Sequence, residues 1–125
     1  SDFVCVMTPL TPSTEKMIGK QEFELMKDTA IFINGSRGKT VDEEALIYAL
    51  KTNEILAAGL DVFVEEPIRR DNPLLSMENV VTLPHIGSAT YETRLKMAML
   101  GATNLVTGLQ GKTPPNLIKS GVSIN

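Results

Sequence analysis

The sequence predicts an α/β fold in which helices cover a parallel β-sheet. Short apolar runs alternate along the chain with segments of helical periodicity. This alternation is typical of parallel strands joined by right-handed crossovers. The apolar runs also lack a regular polar alternation, which is typical of strands covered on both faces. Polar and charged residues follow these runs, so the loops at one edge of the sheet are the first place to look for function.

Four strands are predicted, at residues 3–7, 30–34, 55–63 and 80–83. The first contains only apolar residues, and two prolines in the next segment stop it. The last ends at Pro84, because proline has no N–H to donate to a central ladder. Residues 68–78 are expected to form a polar loop with a small apolar cluster at Leu74 and Leu75.

Three helices are predicted, at residues 19–26, 40–51 and 90–109. The second begins with the spacing of a capping box, in which Thr40 is the N-cap and Glu43 reaches back to it. The third is long, carries an apolar stripe from Leu95 to Leu109, and is ended by Gly111 and two prolines. The tail from Asn116 is expected to be loose.

Composition excludes several classes of function. The 125 residues suit one domain, and a net charge of −3 without a basic stripe makes nucleic acid and anionic membranes poor partners. No segment is long and apolar enough to span a bilayer. The single cysteine, Cys5, argues against a disulfide framework and against a cysteine-rich metal site, so no metal is expected. A reducing compartment, the cytoplasm, is the default expectation.

The predicted strand ends place Thr8, Arg37, Glu66 and His85 at one edge of the sheet. Ligands bind at the carboxyl edge of open α/β sheets. His85 is the only histidine, and Gly87 lets the backbone come close to a bound molecule. A histidine there is suited to proton exchange with a ligand. The alternative, a histidine that only fills a loop, stays open from this position alone.

Three charged groups carry the chemical hypothesis. Arg37, in a tight turn, suits a bidentate contact with a carboxylate, although a solvated surface arginine is an equal alternative. Glu66 is expected to pair with His85 and to favour its protonated form, whereas Glu65 is expected to be a solvated rim charge. Asp61 lies within an apolar run. It is expected either to cap backbone amides or to face a ligand amide or ribose.

A Gly-x-Gly-x-x-Gly turn, which cradles the pyrophosphate of a dinucleotide, does not occur in this sequence. The abrupt start on a strand therefore suggests that another half of the sheet is missing. The first strand is then expected to be an apolar edge that tends to pair with another chain.

Four motifs in order resemble the carboxyl-terminal part of the D-isomer-specific 2-hydroxyacid dehydrogenases. They are Thr8-Pro9-Leu10-Thr11, Asn34-Gly35-Ser36-Arg37-Gly38, Asp61-Val62-Phe63-Val64-Glu65-Glu66-Pro67 and Pro84-His85-Ile86-Gly87-Ser88. The resemblance covers nearly the whole chain. Residues 83–90 look most like the glyoxylate and hydroxypyruvate reductase branch, which includes 2-ketogluconate reductases.

The resemblance implies the second half of a Rossmann-like coenzyme-binding domain plus a long C-terminal helix. Residues 1–89 would belong to the NAD(P)-binding domain, and residues 90–125 would form a terminal helix and tail that return to a substrate domain. The implied catalytic residues are Arg37, Glu66 and His85. The implied cofactor-binding residues are Thr8, Pro9, Gly35, Ser36, Arg37, Asp61, His85 and Gly87.

The implied activity is hydride transfer between NAD(P)H and a small 2-keto acid such as glyoxylate or hydroxypyruvate. The choice between NADP and NAD stays open, because the residues that would decide it lie upstream in the family. The parent protein is expected to be a homodimer, and the chain by itself is expected to be catalytically weak or inactive. The alternative is a non-catalytic coenzyme-binding or regulatory domain of the same fold.

Overall fold

The computed structural model describes residues 1–118. Four strands and three α-helices alternate along these residues: β1 (Phe3–Val6), α1 (Lys20–Glu24), β2 (Ile31–Asn34), α2 (Glu43–Lys51), β3 (Ala57–Leu60), β4 (Val80–Thr82) and α3 (Tyr91–Leu109). Short 3-10 turns at Gly38–Thr40 and Pro73–Leu75 complete the order. The predicted elements are all present, although β3 is much shorter than the apolar run that predicted it.

The four strands form one parallel sheet in the order β1-β2-β3-β4. Their register aligns the strand ends, because Val6 lies opposite Asn34, Asn34 opposite Leu60, and Leu60 opposite Thr82. The prediction of a parallel α/β sheet is therefore confirmed. Because the strands are parallel and in register, the loops that follow all four emerge at the same edge.

The core lies between the sheet and helices α1 and α2. Phe23 of α1 and Phe32 of β2 are fully buried, and their rings meet edge to face with centroids 5.3 Å apart. Such a pair contributes about 0.5–1.5 kcal/mol beyond the burial of its area. Helix α2 buries Leu46 and Leu50 in the same cluster. These contacts fix α1 and α2 against the sheet.

The N-terminus of α2 differs from the prediction. Asp42, not Thr40, is the N-cap, and its Oδ1 accepts the main-chain N–H groups two and three residues later at 3.2 and 3.3 Å. Thr40 is fully buried in the preceding 3-10 turn. Glu43 does not reach back to Thr40; its carboxylate accepts a hydrogen bond from Asn72 Nδ2 at 2.9 Å. The capping-box prediction is therefore wrong.

The two outer strands are more exposed than their composition suggests. Within the described residues β1 pairs only with β2, and its Phe3 side chain is 62% exposed. Val81 of β4 is 65% exposed. The prediction that these runs are covered on both faces is thus wrong for this chain, whereas the prediction of an apolar edge at the first strand is confirmed.

The chain divides into two compact units, Ser1–Gly87 and a second unit that begins at Ser88. The second unit contains α3, which Thr90 caps by accepting the N–H of Thr93 at 3.2 Å. None of the α3 residues that the structure describes is buried. Gly111 follows the helix with a φ of 72°, as expected for the residue that ends it. The predicted loose tail falls largely on residues 119–125, which lie outside the described residues.

Among residues 1–118, no helix combines the length and the apolar composition that a membrane crossing requires.

Gly38 lies at a close approach between two loops of the sheet edge. A Cβ atom at this position would lie 1.9 Å from the carbonyl carbon of Phe63 and 2.4 Å from the N of Val64. Only a residue without a side chain allows the turn after β2 to lie against the backbone that follows β3.

We expect Gly38→Ala to lower the free energy of unfolding by about 1–3 kcal/mol, because backbone atoms must move to admit the methyl group. Chemical denaturation of the full-length product of the reading frame that encodes this chain measures the effect. Gly59→Ala is the matched control, since a Cβ there would meet only Ile33 Cγ1 at 3.9 Å. Equal stability of the two variants would contradict the steric argument.

Candidate active site

His85 and Glu66 form the central contact of the carboxyl edge. The Nδ1 of His85 lies 2.7 Å from Oε2 of Glu66, and both side chains remain partly exposed, at 44% and 36%. The other oxygen, Oε1, accepts the N–H of Phe63 at 2.9 Å. Within the described chain, Nε2 of His85 makes no hydrogen bond. This nitrogen is therefore the one available to a bound molecule.

The carboxylate of Glu66 is set to remain ionised. Partial burial raises its pKa, but the hydrogen bonds from His85 and from the N–H of Phe63 oppose this effect. The positive charges of His85 and Arg37 also oppose it, and the net result is a pKa below the ordinary value of the group. An ionised Glu66 stabilises the positive charge that His85 carries when it is protonated.

Asp61 holds the loop that carries His85. Its Oδ1 accepts the N–H of Ile86 at 2.8 Å, and its Oδ2 accepts the N–H of Gly87 at 2.7 Å. A Cβ at Gly87 would lie 3.1 Å from Oδ2, so the absence of a side chain favours this close approach. Of the two roles expected for Asp61, the structure contains the capping of backbone amides.

His85 has a φ of 54°, in the left-handed region that non-glycine residues rarely occupy. This conformation costs on the order of 1 kcal/mol or more and persists only where neighbouring contacts determine it. The bonds from Asp61 to the next two amides, and the contact with Glu66, supply such contacts. The conformation directs the imidazole toward Glu66 and away from a regular continuation of β4.

Arg37 lies in the turn after β2. The residue as a whole is exposed, and its Nη1 donates to the carbonyl oxygen of Ser36 at 2.8 Å. Arg37 makes no hydrogen bond to Glu66 or His85 within the described residues, but its charge is among the causes that lower the pKa of Glu66. Glu66 and His85 are thus in direct contact, whereas Arg37 acts on Glu66 through the electrostatic effect of its charge.

The loops after β1 and β2 are joined by a buried hydroxyl. Ser36 is 7% exposed, and its Oγ donates to the carbonyl oxygen of Thr8. The Thr8 hydroxyl faces Met17 Sδ at 3.5 Å, and the carbonyl oxygen of Pro9 accepts the hydroxyl of Thr14 at 2.7 Å. The side chain of Ser36 is thus engaged within the protein.

The sequence prediction missed two polar residues of this edge. Asn34 is 2% exposed and Thr40 is fully buried, and both donate to the carbonyl oxygen of Arg37. For Asn34 the sequence held a signal, since it is a polar residue at the end of an apolar run. A side-chain amide that is buried there must find hydrogen-bond partners. For Thr40 the capping-box spacing pointed to a different role.

An apolar cleft of about 650 Å³ adjoins the His85–Glu66 pair. The walls include Phe63, Pro67 and Leu83. The volume falls within the range of small-molecule sites, and the pair and Thr82 are the polar residues of an otherwise apolar lining. Over residues 1–118, no group of three or more His, Cys, Asp or Glu side chains is arranged to hold a metal ion.

Residues 1–87 match the family described as D-isomer specific 2-hydroxyacid dehydrogenase, NAD binding domain. The chain belongs to this family. The carboxyl edge described above is therefore the edge of its NAD-binding domain, which confirms the second half of a Rossmann-like domain expected from the motifs.

Individual relatives are close in sequence and in structure. The chain is 58% identical over 118 residues to the glyoxylate/hydroxypyruvate reductase B of Cronobacter sakazakii. The match covers 94% of this chain and 36% of the relative. An NADPH-dependent glyoxylate/hydroxypyruvate reductase from Sinorhizobium meliloti, solved with NADP and malonate, is 41% identical with a TM-score of 0.80. That match covers 86% of this chain and 34% of the solved chain.

A protein of known structure from Thermus thermophilus is 42% identical with a TM-score of 0.88, and the match covers 95% of this chain and 38% of that protein. The chain thus spans a little over a third of the length of such relatives. The same fold at this identity supports transfer of the backbone geometry. The activity of the whole protein is a proposal, because the matches cover only a little over a third of these relatives.

The lowered pKa of Glu66 gives a pH prediction for stability. Its ordinary value is 4.5, and the folded value lies below this. Folding therefore gains stability from Glu66 above about pH 4.5 and loses it as the pH falls through the folded pKa.

At about pH 6 we expect the unaltered full-length protein to have a higher free energy of unfolding than its Glu66→Gln variant. We expect this difference to shrink toward about pH 3. Urea denaturation across that range measures it. Glu65→Gln removes the same charge from the exposed neighbour and is the control. A difference that stays constant with pH would contradict the lowered pKa.

We expect Asp61→Asn to loosen the loop that carries His85. The carboxylate offers two acceptor oxygens to the N–H groups of Ile86 and Gly87, whereas the amide offers one. The NH₂ group of the asparagine would then face the other N–H group, donor against donor. Loss of such bonds costs about 1–3 kcal/mol. Hydrogen exchange at Ile86 and Gly87 should accelerate relative to Asp28→Asn, a change at an exposed position. Unchanged protection at both amides would remove Asp61 from this role.

Proposed function

We propose that the protein is an oxidoreductase that transfers a hydride from NADPH or NADH to a small 2-keto acid such as glyoxylate or hydroxypyruvate. The observation that carries this proposal is the 2.7 Å contact between His85 and Glu66, together with the charge of Arg37, which helps to lower the pKa of Glu66. Support also comes from the names of the relatives reported above. They are reductases of glyoxylate and hydroxypyruvate, and one was solved with NADP.

In this proposal each polar group has one task. The guanidinium of Arg37 binds the carboxylate of the substrate through paired N–H donors. The Nε2–H of protonated His85 donates its proton to the keto oxygen as negative charge develops there. Oε2 of Glu66 accepts a hydrogen bond from Nδ1–H of His85, which orients the ring and stabilises the imidazolium before transfer. In the oxidation direction His85 accepts the proton of the hydroxyl group.

The coenzyme would be held by the loops that follow all four strands. Gly35 and Gly87 lie in these loops, and Thr8, Pro9 and Ser36 belong to the same edge. The carboxylate of Asp61 accepts two backbone N–H groups and can still accept a further donor through its remaining lone pairs. A reduced nicotinamide, when bound, supplies the hydride that these side chains cannot provide.

Several further properties belong to the same proposal. We infer a homodimer in the cytoplasm, with residues 1–89 in the coenzyme domain and residues 90–125 returning to a substrate domain. We also expect residues 1–125 expressed alone to reduce 2-keto acids weakly or not at all, because in this family other segments bind the rest of the coenzyme and the substrate.

We expect His85→Ala to lower kcat for glyoxylate or hydroxypyruvate reduction by about 10²–10⁴-fold, the usual contribution of general acid catalysis. Oxidation of NADPH and of NADH by the full-length product, followed by absorbance, measures this and reveals the preferred coenzyme. Glu65→Gln, an exposed change beside Glu66, should retain normal turnover. Near-normal turnover in His85→Ala would defeat the proposed role of His85, and no reduction by the unaltered protein would defeat the proposed function.

A further inference from the structure

The main-chain carbonyl of Arg37 is surrounded by hydrogen-bond donors. It accepts Thr40 Oγ1 at 2.7 Å, Thr40 N at 3.1 Å and Asn34 Nδ2 at 3.1 Å. Both donating residues are buried. The remaining oxygen of Asn34, Oδ1, accepts the N–H of Ser36 at 3.0 Å. The peptide unit that follows Arg37 and the peptide unit between Gly35 and Ser36 are therefore held by buried side chains.

This concentration of buried polar groups requires an explanation beyond the closing of a turn. Burial of an amide and a hydroxyl costs free energy unless their hydrogen bonds are made. Here both side chains direct their donors at one carbonyl group, while the side chain attached to the same residue is exposed. The arrangement holds the carbonyl group of Arg37, while its guanidinium Nη1 donates to the carbonyl oxygen of Ser36.

We propose that Asn34 and Thr40 are positioning residues that set where the guanidinium of Arg37 stands at the sheet edge, and thereby the affinity for the carboxylate of the substrate. The inference rests on the proposed function, in which Arg37 binds that carboxylate. Neither residue touches the substrate in this scheme. They act through the backbone of Arg37, whose single exposed side chain then samples fewer positions.

Thr40→Val tests the inference with little change in volume. It removes the hydroxyl donor from the Arg37 carbonyl and keeps the backbone donor of residue 40. In the full-length product we expect KM for the 2-keto acid to rise by about two- to tenfold, the change that loss of one neutral hydrogen bond produces. The inhibition constant of oxalate, a carboxylate that cannot be reduced, should rise by the same factor. The Kd for NADPH, measured by nicotinamide fluorescence, should change less than about twofold.

Two variants separate positioning from a general loss of structure. Thr40→Ser keeps the hydroxyl and should restore normal KM and oxalate inhibition. Thr52→Val is the matched control, because the Thr52 hydroxyl also donates to a main-chain carbonyl, at 2.9 Å, but lies at the other end of α2. It should leave all three constants unchanged. Normal KM in Thr40→Val, or equal weakening of keto acid and NADPH, would overturn the inference.

Arg37→Lys distinguishes failure of this inference from failure of the proposed function. If Arg37→Lys leaves KM unchanged, the assignment of Arg37 to the carboxylate fails and the inference fails with it. If Arg37→Lys raises KM while Thr40→Val does not, only the inference fails. If both raise KM, the double variant should show less than the product of the two effects, because both act through one guanidinium.

Discussion

The carboxylate of Asp61 sets the geometry of the candidate site. It accepts the N–H groups of Ile86 and Gly87, which follow the histidine directly. This contact joins the ends of two neighbouring strands, and it holds His85 in a backbone conformation that the residue would not adopt alone. The contact between His85 and Glu66 follows from it. The catalytic chemistry proposed for this edge therefore depends on a group that need not meet the substrate.

The parallel sheet explains why such contacts are available. With Val6, Asn34, Leu60 and Thr82 in register, every strand delivers its next residues to one edge. Gly38 then brings the turn after β2 against the backbone that follows β3. The loops support one another through bonds between side chains and backbone, as between Ser36 and Thr8 and between Asp61 and Ile86. The edge is one hydrogen-bonded network in which the proposed ligand groups are the exposed members.

Much of this could be predicted from the sequence, because the relevant signals are local. Apolar runs and turn residues located every strand, and the parallel order follows from alternation with helices. The pairing of Glu66 with His85 could be predicted because both residues follow strands at the same edge. The roles of Asp61 were left open, since a carboxylate in an apolar run can accept backbone or ligand donors equally well.

Other features depend on information that is not local. An apolar run alone does not show that a strand lies at the edge of the sheet, so the exposure of Val81 in β4 was not predicted. Thr40 has the spacing of an N-cap, but the 3-10 turn draws it into the core, and Asp42 caps the helix in its place. The left-handed backbone of His85 results from tertiary contacts and has no counterpart in local propensity.

The two oxygens of Glu66 serve different partners, one the backbone of Phe63 and the other the imidazole of His85. An aspartate carries the same charge, but its carboxylate would lie one methylene closer to its own backbone, so the two contacts at 2.9 and 2.7 Å could not both be kept without a shift of the chain. Reach, as much as acidity, thus explains why a glutamate stands here rather than an aspartate.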